Sequence, residues 1–456
     1  MKYLAILKDS FLEAIDTWVL YVMLALSALL IILVGSISFR PRPAATVMDD
    51  AVLGLNIDIE EQLQQLREVL SEGQQGGGGR IRFPMVPKRV SNVTYTAKGV
   101  EPIGDAPDGP NSPLLFTVAA RFQNEEEAAA AKKNLAPVAE LIKTRFASMG
   151  NRSFLDVTDV QLAREGNVFV KDPGPREVYL EISTKPNSAT LVVWPTDMTL
   201  LFGAVPIDFP EKFPLGIFLM GIQEIFVNTI GATIAILVSI VLTAFFIPNM
   251  LRKGTIDLLL VKPIYRPMLL IYKYIGGLTF IILNTTFAVG GTWLVLSLRS
   301  GVWANSFLWA IPAICVTFAV IYAISTLAAV ITRSAIVSIL VGAVFWMLLY
   351  VVGQANLFFQ QRAKVEEFTN VPREHRLSEG WWVPAIKTVY TVLPRSRDFV
   401  ILTTQQMEKE LLPQAEIIQR QVGTEPVRLE ESLTSAGVFI ALMLTLACIR
   451  FSLKDY

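Results

Sequence analysis

The sequence predicts an α-helical polytopic membrane protein with six transmembrane helices and a large α+β extracytoplasmic domain between helices 1 and 2. Charge-free runs recur at 17–39, 225–251, 274–298, 300–332, 334–361 and 432–449, each long enough to cross about 30 Å of hydrocarbon as a helix. Between the first two runs, residues 40–213 bring back charge, proline and glycine over a length that suits a separate water-facing domain. Composition agrees: 52% of residues are hydrophobic and 18% charged, whereas soluble domains carry about 25% charged residues. The mean hydropathy is +0.48. The 40 basic and 40 acidic residues cancel, so no global field points to nucleic acid or an acidic substrate.

Residues 1–16 place Leu4, Leu7, Phe11, Leu12 and Ile15 on one helical face, giving an amphipathic leading helix on the cytoplasmic side. The run 17–39 exceeds the apolar core of a signal peptide and follows acidic residues, so it reads as an uncleaved first span, Trp18 to Ser38.

The domain 40–213 begins with Pro41 and Pro43, then a stretch with Ile59, Leu63, Leu66 and Leu70 at helical spacing, and the flexible run Gly76–Gly79. Strands are predicted at 114–122 and 177–183, and with weaker patterns at 154–160 and 190–194. A helix starts at an Asn124 cap with Glu127 as capping-box partner, carries Leu135, Val138, Leu141, Ile142 and Phe146 as its apolar stripe, and bends at Pro137.

Residues 214–361 hold spans two to five. A segment containing Glu224 leads into a span near Asn228–Ile247, followed by Ile271–Leu298, then Phe307–Ile331 and the run 334–361. The last two are joined by only Thr332-Arg333-Ser334, which requires an antiparallel hairpin. Cys315 and Cys448 fall inside apolar runs and read as packing residues.

Between spans two and three lies a basic loop, 248–268, with Arg252, Lys253, Lys262 and Arg266 against the single acid Asp257. Gly254 can end the incoming helix, Thr255 can cap a new one with Asp257 in its first turn, and Pro263 stops it. A two-turn surface helix results, Ile256 to Lys262, with Leu258, Leu259 and Leu260 available for burial; an ordinary interfacial turn is the alternative. Excess Lys and Arg in short loops marks the cytoplasmic side. Lys2, Lys8, Lys273, Arg333, Arg450 and Lys454 fall on that side by alternation, while the one short loop opposite offers Arg299. Both termini are therefore expected in the cytoplasm of a multi-pass protein of the inner (plasma) membrane.

Residues 362–431 form an extracytoplasmic segment. Its stretch 381–394 pairs Trp381 and Trp382 with Ile386, Val389, Tyr390 and Leu393 at helical spacing, suited to a helix resting on the leaflet. Residues 405–421 read as a solvated helix, and 432–456 as the sixth span with a cytoplasmic C-terminus.

Catalytic patterns are missing from the sequence. It has no G-x-x-x-x-G-K-S/T phosphate loop, no H-E-x-x-H and no G-x-S-x-G. Its one histidine, His375, precludes a two-histidine metal site and reads as a loop residue. No carboxylate pair lies within a span, as an intramembrane aspartyl protease would need. Asn228, Asn284, Thr285 and Thr286 lie in or near spans and could line a translocation path; inter-helix hydrogen bonding is the alternative. Lys273 is expected to snorkel to the cytosolic interface.

The amphipathic start, the six spans, GTIDLLLVKPIYR (254–266) after the second span and YKYIGG (272–277) into the third together resemble an ABC-2 type transporter permease, most similar to the multi-copper enzyme maturation and export branch. The family pattern G-T-hydrophobic-x-x-L-L-x-x-P-I/V-x-R falls on Gly254, Thr255, Ile256, Leu259, Leu260, Pro263, Ile264 and Arg266, and LPRSRDF (393–399) resembles its L-P-x-x-x-x-F stretch before the last span. Two departures stand out: residues 249–253 lack the acid that members often carry there, and 40–213 is large for the family.

The resemblance implies a permease without ATPase activity of its own, working as a homodimer or pseudo-dimer with cytosolic ABC ATPase subunits. ATP and Mg would then reside in those partners, and no cofactor in this chain. Arg252, Lys253, Gly254, Thr255, Ile256, Leu258, Leu259, Leu260, Pro263 and Arg266 would form the ATPase-coupling helix. A membrane-anchored sensor or scaffold, whose outer domain binds an envelope partner, is the alternative from a different class.

Overall fold

The computed structural model of the chain describes residues 19–56, 93–148, 155–164, 166–170, 174–207, 209, 213–250, 265–368, 376–412 and 427–453. Among the described residues, five helical stretches are long and apolar enough to cross a membrane: Leu215–Met250, Pro267–Ser300, Asn305–Thr332, Ala335–Lys364 and Leu429–Leu453. A shorter apolar helix, α1 (Val19–Gly35), precedes them. It ends before Ser38, which already begins strand β1 (Ser38–Pro41).

Helix α2 (Ala44–Leu55) then leads to β2 (Val93–Pro102) and β3 (Leu114–Phe122). Helices α3 (Glu125–Lys133) and α4 (Ala136–Ser148) precede β4 (Leu155–Leu162) and β5 (Glu177–Pro186). The expected single bent helix is thus two: Asn134 adopts an extended conformation between them, and Pro137 sits in the first turn of the second, where its missing N–H costs nothing. The capping pair is loose, with Asn124 Nδ2 3.5 Å from Glu127 Oε1.

Strands β2 to β5 form an antiparallel sheet of order β2-β3-β5-β4. Register pairs Phe116 with Ile182, Val118 with Leu180 and Ala120 with Val178 on one face, which joins Val47, Val52 and Leu55 of α2 and Ile142 of α4 in a core. The opposite face carries the paired Thr117 and Glu181. There Asn167 Nδ2 donates to Glu181 Oε1 at 2.7 Å and to Thr117 Oγ1 at 3.2 Å, so a loop covers the buried acid.

A second antiparallel sheet has the order β1-β6-β7, with β6 at Thr196–Leu200 and β7 at Val205–Ile207. The predicted strand 190–194 is instead a short helix, α5 (Thr190–Val193). Asn187 Oδ1 accepts from the Ala189 amide at 2.9 Å and Thr190 Oγ1 from the Asn187 amide at 2.6 Å, a side-chain-closed turn that outweighs the β-branched composition. Trp194 is fully buried behind it, its Nε1 donating to Arg42 O at 2.9 Å.

The helical bundle begins with α6 (Leu215–Ile225), continues through a π-helical segment (Phe226–Ala235) into α7 (Ile236–Thr243), and ends with α8 (Phe246–Met250). The Glu224 segment is therefore continuous with the span that follows it. Helix α9 (Arg266–Ser300) is an unbroken 35 residues, about 52 Å at about 1.5 Å per residue. Helices α10 (Ala310–Thr332) and α11 (Ala335–Phe368) make the expected hairpin. Arg333 closes it in the left-handed region (φ 57°), its amide donating to Ala329 O at 2.8 Å.

Two shorter helices follow, α12 (Trp382–Val392) and α13 (Ser396–Leu411), before α14 (Leu429–Leu453). In α12 Val383 is buried, whereas Trp381 just before it is 85% exposed and Val389 is exposed. Of the solvated helix expected over 405–421, residues 413–421 lie outside the described residues; within α13, Met407 and Leu411 are buried and continue a stripe with Phe399, Val400 and Thr403 against the bundle, while Gln406 and Lys409 are exposed.

Where α6 meets α13 the chains nearly touch. A Cβ built on Gly216 would lie 2.3 Å from Leu411 O and 3.1 Å from Val192 O, both backbone atoms that cannot swing aside. Gly216→Ala is expected to cost about 1–3 kcal/mol through forced separation and to lower the melting midpoint of the detergent-solubilised protein. At Gly221, five residues further along the same helix, a Cβ meets nothing within 4 Å, so Gly221→Ala should be neutral or stabilising by up to about 1 kcal/mol. Equal effects of the two substitutions would contradict this packing.

Candidate functional site

The directions of the helices sort their ends into two groups. Helix α8, the start of α9, the α10–α11 hairpin and the end of α14 share one end of the bundle; the end of α1, the end of α9, the start of α6 and helices α12 and α13 share the other, beside the sheets. Pro195 bridges to Pro214 at the sheet-bearing end, and Arg299 Nε donates to Gly35 O at 2.9 Å there.

The residues on either side of the expected coupling segment are at the first end. Arg252, Lys253, Gly254, Thr255, Ile256, Leu258, Leu259, Leu260 and Pro263 fall outside the described residues, and Arg266 opens α9. The flanks of the segment are well defined. Ile247 and Met250 before it and Leu269 and Leu270 after it are buried in one cluster with Ala329 and Val330 of α10 and Ala447 and Phe451 of α14. The chain on either side of the loop is thus fixed to the same junction of four helix ends, α8, α9, α10 and α14. Tyr265, the N-cap of α9, is 81% exposed beside it.

The four candidate path residues do not share one surface. Asn284 is buried and accepts from Ser27 Oγ of α1 at 3.1 Å, and Thr285 lies within hydrogen-bonding reach of the Cys315 thiol on α10. Thr286 points outward from the bundle. Asn228 sits in the π-helical segment, where its main-chain oxygen accepts from Thr233 Oγ1 at 3.2 Å and its side-chain Oδ1 is buried with no hydrogen-bond partner among the described residues. For Asn284 and Thr285 the geometry is that of inter-helix hydrogen bonding. Lys273, expected to snorkel, is instead 7% exposed within the bundle.

A polar junction that the sequence did not reveal occupies the sheet-bearing end. Asp398, in the first turn of α13, is 7% exposed and accepts from Tyr390 Oη of α12 and, at 2.6 Å, from Ser432 Oγ of α14. Arg395 Nη1 pairs with Glu431 Oε2 at 2.9 Å, and its guanidinium lies 6.0 Å from the Tyr390 ring centre. Burial, and then the neighbouring Asp398 carboxylate, raise the Tyr390 phenol above its ordinary value, so it stays a donor. Glu410 accepts from the amides of Asn305 and Ser306 at 3.0 and 2.7 Å, fastening α13 to the turn before α10. Beyond the end of its span, α11 carries Glu366, which is 1% exposed. Burial opposes its charge, but hydrogen bonds from Ser378, Arg362 and Leu377 outweigh that and hold the carboxyl below the usual carboxylate range.

Sequence reading singled out 393–399 as a motif but gave Asp398 no role. The only local signal was an acid in a helix first turn, where the dipole favours it; its partners lie 8 and 34 residues away. Among the described residues no group of three or more His, Cys, Asp or Glu side chains is arranged to hold a metal ion.

A family model described as "ABC-2 family transporter protein" matches residues 4–456. No curated protein matches the chain.

Proposed function

The chain belongs to the ABC-2 family of transporter proteins and is a permease subunit of an ABC transporter, and from this we propose that it couples ATP hydrolysis in a separate cytosolic ATPase to export or to force on its outer domain. The nearest branch in our reading is that of multi-copper enzyme maturation and export, on the resemblance of residues 254–266. ATP and Mg would be held by the ATPase. The working unit would be a homodimer or pseudo-dimer of this permease with two ATPase subunits, in the inner (plasma) membrane, with both termini cytoplasmic and α1 serving as the first of six spans. The domain 40–213 and the segment 362–431 would then face outward.

The observation that most supports coupling is the path of α9. It starts at the basic loop, where its first buried residues Leu269 and Leu270 are locked to α8, α10 and α14, and runs unbroken to Arg299, which bonds the end of α1 where the sheets begin. A helix without proline or glycine breaks in its hydrogen bonding moves as a rod, so displacement of the loop is carried to the sheet-bearing end. Gly276, Gly277, Gly290 and Gly291 lie within α9 without interrupting it.

The reading requires the loop to face the cytosol, where ATP is. With Cys315 and Cys448 replaced by alanine, cysteines at Thr255 and at Val168, which is 81% exposed in the domain beside β4, should be labelled by an impermeant maleimide from opposite sides: Thr255→Cys only in inside-out vesicles, Val168→Cys only in intact cells or spheroplasts. Labelling of Thr255→Cys from the outer side would contradict docking on an ATPase.

A further inference from the structure

The turn between β6 and β7 places large apolar side chains where solvent-facing domains avoid them. Leu201 (φ 50°), Phe202 (φ 59°) and Gly203 (φ 96°) are consecutive residues in the left-handed region, a conformation that bulky side chains disfavour. Yet Leu201 is 59% exposed, Phe202 68% and nearby Val205 45%. A strained turn that leaves its apolar side chains this exposed among the described residues is held for another purpose.

What holds it also fixes its height. The Phe202 amide donates to Ser36 O at 2.7 Å, just past the end of α1. The Arg299 guanidinium, at the end of α9, lies 5.1 Å from the Phe202 ring centre while its Nε bonds Gly35 O. The turn is therefore level with the ends of two apolar helices, and the apolar surface continues directly into them through exposed Ile32 and Leu33 of α1 and Leu298 of α9. Two cations rim the tip: Arg299, and Arg40, whose Nη2 would lie 3.0 Å from a Cβ on Gly203.

From this we propose that the β6–β7 turn is a lipid-contact element, with Leu201 and Phe202 inserted into the leaflet beside the sheets and Arg40 and Arg299 at the level of the lipid phosphates. Apolar tips flanked by arginines suit that boundary, where the rings and aliphatic groups enter hydrocarbon and the guanidinium groups meet anionic oxygens. The turn would hold the three-stranded sheet against the membrane surface, so that motion of α1 or α9 tilts the domain rather than sliding beneath it. This rests on α1 and α9 lying in the bilayer.

The test uses the full chain with Cys315 and Cys448 replaced by alanine, reconstituted in phosphatidylcholine–phosphatidylglycerol vesicles. Single cysteines at Leu201, Val205, Leu29 and Val168 carry an environment-sensitive nitrobenzoxadiazole label. Leu29, 66% exposed in the middle of α1, reports the span, and Val168 reports water. The expected result for Leu201→Cys and Val205→Cys is emission shifted to shorter wavelength than at Val168→Cys. Most of that intensity should be lost to lipids carrying a nitroxide near the headgroup, and little to aqueous iodide. Iodide quenching at the level of Val168→Cys, or shielding from both quenchers, would overturn the proposal, the second pattern meaning that protein covers the turn. If Leu29→Cys also escapes lipid quenching, the failure lies in the placement of α1; if only the turn probes escape, it lies in the proposal.

Discussion

Asp398→Ala is expected to be the most destabilising substitution at the sheet-bearing end of the bundle. The carboxylate is 7% exposed and receives hydroxyl donors from two other helices, Tyr390 on α12 and Ser432 on α14. Each charge-assisted bond contributes about 1.5–3 kcal/mol, and truncation also takes the acceptor from the half-buried Tyr390 hydroxyl, while Ser432 Oγ keeps only its longer bond to Arg428 O at 3.3 Å. A loss of about 3–5 kcal/mol follows, seen as a large fall in the melting midpoint in detergent and as protease cleavage between α12 and α14. Asp398→Asn keeps the size and one acceptor and should lose less. Tyr390→Phe and Ser432→Ala should each cost about 1–2 kcal/mol and add less than fully to Asp398→Ala, because the partners act through the same carboxylate. An unchanged midpoint for Asp398→Ala would show that this junction does not hold the three helices together.

The parts of the fold that were legible in the sequence are those with local causes. The α10–α11 hairpin was visible because Thr332-Arg333-Ser334 interrupts two charge-free runs and leaves no room for any other connection. Strands β3 and β5 were visible because each is a short run rich in apolar, β-branched and aromatic residues bounded by proline and polar residues. Strand β1 was not, since Ser38–Pro41 pairs with Thr196–Thr199 far along the chain, and nothing near Phe39 announces that partner. The buried side of α13 is hard to read locally because its charges are conspicuous while its stripe, Phe399, Thr403 and Met407, is short and partly polar. In the short helix α5 the side chains of Asn187 and Thr190 close the turn, and propensity counted over Leu191, Val192 and Val193 points the wrong way.

The candidate sites divide in the same manner. The position of the basic loop followed from charge and hydropathy alone, whereas the junction that anchors it, joining Met250, Leu270, Val330 and Phe451, is assembled from four separated helix ends. Asn284 was recognised as a polar residue in a span, but its role depends on Ser27 across the α1–α9 seam. The spacing within 393–399 marked a motif without showing that Asp398 is its hub.

Leu259→Asp is expected to have the largest effect on function. If 256–262 docks in an ATPase groove, the substitution puts an unpaired carboxylate into a buried apolar contact, a change costing several kcal/mol, of order a hundredfold or more in affinity. Insertion of the permease should survive, because a loop bearing Arg252, Lys253, Lys262 and Arg266 has no reason to enter hydrocarbon, and one more charge there is tolerated. Lys262→Ala, which removes a charge at the edge of the same segment, should weaken association only slightly and in a salt-dependent way.

The decisive measurement is co-purification of this permease with its ABC ATPase, co-expressed from the same genome, together with ATP hydrolysis after reconstitution in liposomes. The wild-type chain is predicted to retain the ATPase and to change its turnover, and Leu259→Asp, inserted to the same level, to lose both. Undiminished binding and turnover with Leu259→Asp would contradict coupling through this loop.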